Sequence, residues 1–141
     1  MSASHALAGG AERRARGSEA VSYGLSASAI RDRAGIEAIA DRWLGLEAHG
    51  TGFNLFQSLG WARAIFDFER ERGNTAFDPV IATISDGRRL VGVLPLERIR
   101  TGVRSLLVPL GNGFAQTTDA LLDADLDPGA AVTRLLRAAV A

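Results

Sequence analysis

The 141-residue chain contains no cysteine. That removes disulfides, thiolate nucleophiles and Cys-ligated zinc or iron from the chemistry open to it. Lysine is missing too: all 16 basic residues are arginine, so a lysine Schiff base and the lysine of a P-loop are excluded. There is no excess of either charge, because 16 acidic residues cancel the 16 arginines and the pI lies near 6.7. No global field gathers nucleic acid or an anionic membrane, and neither partner is expected. Long apolar runs are also lacking. The charge-free stretch Ser105 to Thr118 holds Pro109, Gly111, Asn112, Gly113 and Gln116 and is too short and too polar to span a bilayer. Arg13, Arg14 and Arg16 have no apolar segment behind them, so no secretory signal is predicted. A cytoplasmic address is the default expectation.

What is present is the composition of one globular domain. Hydrophobic residues make up 47% of the chain, and a chain of this size buries about two-thirds of its unfolded surface without a metal or disulfide staple. Residues 1–19, rich in Ala, Gly, Arg and Ser and without periodicity, are expected to form a disordered tail. The domain is expected over residues 20–141, opening with a strand from Val21 to Leu25. Asp32 is placed as the N-cap of a single helix bearing Ile36, Ile39, Ala40, Trp43, Leu44 and Leu46, with Gly50 as its stop. Ser58 caps a second helix, whose stripe is Leu59, Ala62, Ile65 and Phe66. After Pro79 the period changes to that of strands. Val80 to Ser85, Asp86-Gly87 and Leu90 to Leu96 predict a hairpin with a tight turn, and Thr101-Gly102 leads into a third strand from Val103 to Leu110. A short strand is expected from Thr118 to Leu122. Asp127-Pro128 opens a last helix through Ala131, Val132, Leu135, Leu136 and Ala139. That helix reaches Ala141 without a capping glycine, as an unfinished fold would. The fold class is α+β, in the order β-α-α-β-β-β-(β)-α, with a mainly antiparallel sheet carrying helices on its faces.

Several patterns carry a bland reading beside a functional one. Asp123, Asp125 and Asp127 resemble the start of a calcium loop, but Pro128 and Arg134 stand where that loop needs its glycine and its bidentate glutamate. A solvated acidic turn followed by an N-cap fits better, and no metal is expected. Gln57, Gly60 and Ala62 match the [Arg/Gln]-x-x-Gly-x-[Gly/Ala] phosphate cradle of acyl-CoA enzymes. In a chain with 24 alanines and 16 glycines chance alone supplies about 0.6 of such a match. No strand is predicted just before it, so it is not assigned to CoA. His49, near a helix C-terminus, reads as a dipole-stabilising residue before a general base. Ser58 lacks a nucleophile elbow, which leaves it capping. Pro95 interrupts what reads as an inner strand and implies a bulge or a splayed edge. The uncharged loop Gly111 to Asp119 could line a cleft with amide and hydroxyl donors.

Taken together, Phe56-Gln57-Ser58 with Trp61, the block from Asp86-Gly87 to Pro95-Leu96, Leu110-Gly111, and Asp119 to Leu122 resemble the CelD/BcsL-type acetyltransferases of the GNAT superfamily, over about Ile30 to Ala141. That family is associated with cellulose and other exopolysaccharide synthesis. The chain departs from it at Thr117 and Thr118, where an aromatic residue is expected. The resemblance implies a GNAT-like N-terminal domain, one of two tandem halves, with the acyl-CoA site mainly in the other. It further implies acetyl-CoA or acyl-CoA as co-substrate, with no tightly bound cofactor, and transfer to an amine of a saccharide or related small molecule. By itself such a half is expected to be inactive. Gln57, Trp61, Gln116 and Asp119 are the residues expected to line the acceptor cleft, and no residue is assigned as catalytic base. The alternative is a non-catalytic saccharide-binding or subunit-interaction module, with a protein partner at an exposed sheet edge.

Overall fold

A computed structural model of the protein describes residues 24–51, 53–115 and 119–141. The expected tail over residues 1–19 and the first part of the expected strand Val21 to Leu25 lie outside them. The first described strand comes later, as β1 (Ser26–Ile30). Two short helices follow, α1 (Arg33–Ala38) and α2 (Ala40–His49). Asp32 does cap α1, its side chain accepting the Gly35 N–H at 2.7 Å. The single helix expected here is broken at Ile39, whose ψ of 7° leaves the helical range. The apolar spacing runs unbroken through the turn, because Ile36, Ile39, Ala40, Trp43 and Leu46 are all buried on the same side; periodicity therefore carries no mark of the break. A two-residue strand β2 (Gly50–Thr51) stands where a helix stop alone was expected. A 3-10 turn over Leu55–Gln57 leads into α3 (Leu59–Glu71), capped by Ser58 through the Trp61 N–H at 2.9 Å.

The strands that follow are β3 (Pro79–Ser85), β4 (Leu90–Thr101), β5 (Arg104–Pro109) and β6 (Leu121–Asp123), before α4 (Pro128–Val140) closes the order. The sheet runs β1-β3-β4-β6-β2, with β5 also paired to β4, and every pairing is antiparallel. The protein is thus α+β, with a mostly antiparallel open sheet and four α-helices among the described residues. The hairpin between β3 and β4 forms as expected, although its connection is Asp86 to Arg89 and only Gly87 takes a positive φ, at 96°. The Asp86 carboxylate closes this connection by accepting the N–H groups of Arg88 and Arg89, at 3.2 and 2.8 Å. A bulge lies beside it: Ile84 faces Gly92 and Ser85 faces Leu90, leaving Val91 without an opposite number.

The sheet separates two apolar layers. Ile36, Trp43, Leu59 and Ile65 of α1 to α3 pack on one face against Ile81, Val93 and Leu121. Ala131, Leu135 and Ala139 of α4 pack on the other against Val80, Ala82, Ile84 and Leu94. Inward residues alternate along β3, and the bulge at Val91 shifts that alternation by one in β4. Outside the core, Arg33 and Arg63 hold Glu37 between them and tie α1 to α3; their guanidinium groups pull the Glu37 carboxyl down to about 2. No helix among the described residues is long and apolar enough to cross a membrane.

Candidate functional site

Pro95 organises this part of the molecule. Its carbonyl accepts the Leu110 N–H at 3.2 Å, so in an antiparallel ladder its missing N–H would point to that same side. On that side β5 pairs with Leu96 to Thr101 and β6 pairs with Gly92 and Val93. The two strands are successive pieces of one edge, parted opposite Leu94 and Pro95 by the excursion from Leu110 to Ala120. The proline costs the ladder nothing there, because no strand remains to receive its donor. The expected splayed edge is what forms, and the bulge lies elsewhere.

Gly111 begins the excursion at φ +77°, under Trp61 and Ile65, where a Cβ would come within 2.7 and 2.8 Å of their side-chain atoms. The chain can make this close approach only without a side chain. The turn aims the N–H groups of Gly111 and Asn112 at the carboxylate of Glu97, on the neighbouring strand. β4 also runs past its partner: pairing with β3 ends at Pro79 opposite Glu97, Arg98 adds one bond from its N–H to Asp78, and Ile99 to Thr101 pair with β5 alone.

Between this projecting arm, the C-terminal end of α3 and the segment from Asn74 to Asp78 lies a groove of about 660 Å³. Its charged walls are Glu69, Asp78 and Glu97 against Arg72, Arg98 and Arg100. Glu69 accepts from Arg72 at 2.8 Å and from the Asn74 amide at 2.6 Å, and Asp78 lies 3.7 and 3.8 Å from Arg31 and Arg98. Glu97 has no ion pair among the described residues. Partial burial pushes its carboxyl above the ordinary value of 4.5, against the opposing pull of the Gly111 and Asn112 N–H groups, and the nearby Glu69 pushes the same way. A half-buried carboxylate of raised basicity in the largest described groove is equipped to hold a cation or accept a proton.

The residues expected to line an acceptor cleft stand elsewhere. Gln57 is buried, 1% exposed; its amide donates to the Asp119 carbonyl at 2.8 Å and its oxygen accepts the Asn54 N–H at 2.9 Å. Trp61 donates to the Leu110 carbonyl at 2.9 Å and packs edge-on against Phe56. Asp119 is exposed and its carboxylate accepts the Ala120 N–H. Gln57 is thus joined to Asp119, and Trp61 to the start of the excursion, but none of the three lines the groove. Gln116 lies outside the described residues. The cradle-like match at Gln57, Gly60 and Ala62 follows a 3-10 turn, and its first amides are taken: Leu59 N–H by Glu47 and Trp61 N–H by Ser58. Burial in that position raises the Glu47 carboxyl. Asp127 caps α4 through Ala130 at 3.0 Å, whereas Asp123 is not solvated, being buried and paired with Arg89. His49 is exposed in the last turn of α2.

Comparison with protein families, with characterised proteins and with solved structures returns no match. The groove itself was not legible beforehand. Glu97 and Glu69 lie 28 residues apart on a strand and a helix; the one local sign was a charged run, Glu97-Arg98-Ile99-Arg100, continuing a strand that is apolar up to Leu96.

Proposed function

We propose that the chain is the N-terminal portion of an acyl-CoA-dependent N-acyltransferase, acting on an amine of a saccharide or related small molecule in exopolysaccharide synthesis. The observation that carries the reading is Glu97, a carboxylate of raised basicity without an ion-pair partner among the described residues, set in a groove wide enough for a monosaccharide. In the transfer, the amine nitrogen forms a bond to the thioester carbon, the C–S bond breaks, and CoA leaves as the thiol. Glu97 is the proposed acceptor of the ammonium proton. Glu69, Asn74 and Arg100 supply polar contacts for sugar hydroxyls. The sequence resemblance and the order of helices and antiparallel strands support the same reading, in which the acyl-CoA site lies mainly in a second half.

The test is titration of the chain with glucosamine and N-acetylglucosamine, followed by NMR of the backbone amides. Saturable shifts at Asn74, Glu97 and Asn112 with glucosamine only, lost in Glu97→Gln, are expected; equal responses to the two sugars, or none, overturn it. A second reading, the non-catalytic saccharide-binding or subunit-interaction module, is favoured by the projecting β4–β5 arm, where Val103 and Leu106 are exposed. Capture of a partner that protects the amides of β5, with no amine preference, would favour it.

A further inference from the structure

A second cleft, of about 170 Å³, opens at the other end of β4, where α2 passes the β3–β4 connection. We propose that it binds the phosphate group of a small ligand. Arg42, Gly45 and His49 follow one another at three- and four-residue spacing and so share one face of α2. Beyond its chain neighbours and the backbone of α2, no atom lies within 4 Å of the place where a Gly45 Cβ would stand, so the helix surface is open there. Arg88 and Arg89 face them from the connection. That backbone is fixed in place, with Asp86 accepting the N–H groups of both arginines and the Ser85 hydroxyl donating to the Arg89 carbonyl at 3.0 Å.

The cleft's one lining carboxylate is already committed. Asp123 pairs with Arg89 through one oxygen and accepts the Asp125 N–H at 3.0 Å through the other. Arg42 and Arg88 have no ion pair among the described residues. Arg42, Arg88 and Arg89 against Asp123 and the adjoining Asp86 leave one positive charge at the cleft before His49 is counted, in a chain whose formal charge is zero. This accumulation is therefore local, not a by-product of a basic protein. Arginine side chains gathered at one small cleft favour a ligand carrying negative charge, and their planar forks match phosphate oxygens in pairs. The site is distinct from the Glu97 groove: Glu97 lies seven steps along the strand from Leu90, roughly 23 Å at about 3.3 Å per residue. It does not depend on the acyltransferase reading.

The test is an NMR titration of the full chain with inorganic phosphate and, separately, with glucose 6-phosphate, sodium chloride holding the ionic strength constant. Saturable shifts of the Gly45, Arg88, Arg89 and Leu90 amides are expected. The double variant Arg42→Ala with Arg88→Ala should bind at least about tenfold more weakly. The two positions are exposed, and Arg88→Ala alone serves if the double variant melts early. Equal affinity for the two probes identifies a free phosphate ion as the ligand; tighter binding of the sugar phosphate identifies a phosphate ester. Shifts that grow linearly, that chloride alone reproduces, or that keep their midpoint in the arginine variants overturn the proposal.

Discussion

Gln57 separates a contact with a small molecule from a contact within the fold, and the structure assigns it the second. Its amide spans two backbone groups 65 residues apart in sequence, the Asn54 N–H and the Asp119 carbonyl, at 2.9 and 2.8 Å. Trp43, fully buried, donates to the carbonyl of the same residue at 3.0 Å. Replacing Gln57 by Leu keeps the volume and removes both side-chain bonds. Each stranded group costs about 1–3 kcal/mol when buried; because these two are partly covered, the lower half of that range applies, and the sum is about 2–4 kcal/mol. For a chain of this size about 1 kcal/mol moves the melting midpoint by roughly 3 °C, so Gln57→Leu should melt about 6–12 °C lower. Gln57→Glu keeps the acceptor for Asn54 but buries a carboxylate whose other oxygen faces the Asp119 carbonyl, so it should melt at least as low as Gln57→Leu. Circular dichroism melts measure the midpoints, and hydrogen exchange should show faster opening at Ala120 to Leu122 in both variants. A Gln57→Leu midpoint within 2 °C of the wild type refutes the reasoning, since two unmade bonds at this site cannot be that cheap.

Gly111→Ala combines a positive φ with a Cβ crowded by Trp61 and Ile65, and should cost about 2–5 kcal/mol in denaturant unfolding; a loss under 1 kcal/mol would mean that the excursion moves aside freely. Leu135→Ala empties a fully buried place between α4 and the sheet and should cost about 2–5 kcal/mol, read from the same denaturation curves. Glu97→Gln tests the raised carboxyl. Because the folded value lies above the ordinary 4.5, the stability that Glu97 contributes is fully present below pH 4.5 and is lost as pH rises through the folded value. The glutamine variant, neutral throughout, should match the wild type near pH 4 and exceed it at pH 7; melting midpoints that differ by the same amount at both pH values contradict the assignment.

What could be read beforehand followed local chemistry. Asp32, Ser58 and Asp127 each cap the helix they were expected to cap, because an N-cap needs only a short polar side chain ahead of an apolar stripe. The β3–β4 hairpin was legible for the same reason, with alternating residues on either side of Asp86-Gly87. The break at Ile39 left no sign, since no glycine or proline marks it and the buried face continues through it. β1 was not anticipated because Ser26-Ala27-Ser28 has neither bulk nor β-branching; it becomes a strand through pairing with Thr83, Ile84 and Ser85, and that partner is remote in sequence. Gln57 and Trp61 stood out as polar and aromatic residues beside a loop, yet the same features serve to fasten that loop to the helices.

The two grooves follow from how β4 is used. A strand of 12 residues is longer than either neighbour on its open side, so its partners come in two pieces, and the chain between them must leave the sheet and return. Pro95 makes the parting inexpensive by removing the donor that would otherwise be stranded opposite the gap. Gly111 makes the departure tight enough to bring two backbone N–H groups onto Glu97. The overhang past Pro79 leaves Ile99 and Arg100 in one wall of the groove, while the other end of β4 reaches the arginine-bearing connection beside α2. Shortening the overhang, by deleting one paired residue from each side of the Thr101-Gly102 turn, should therefore open the wall of the Glu97 groove and leave phosphate binding at the Arg88 end unchanged. An equal loss at the two ends would show that β4 couples them, against the separate sites inferred from their spacing.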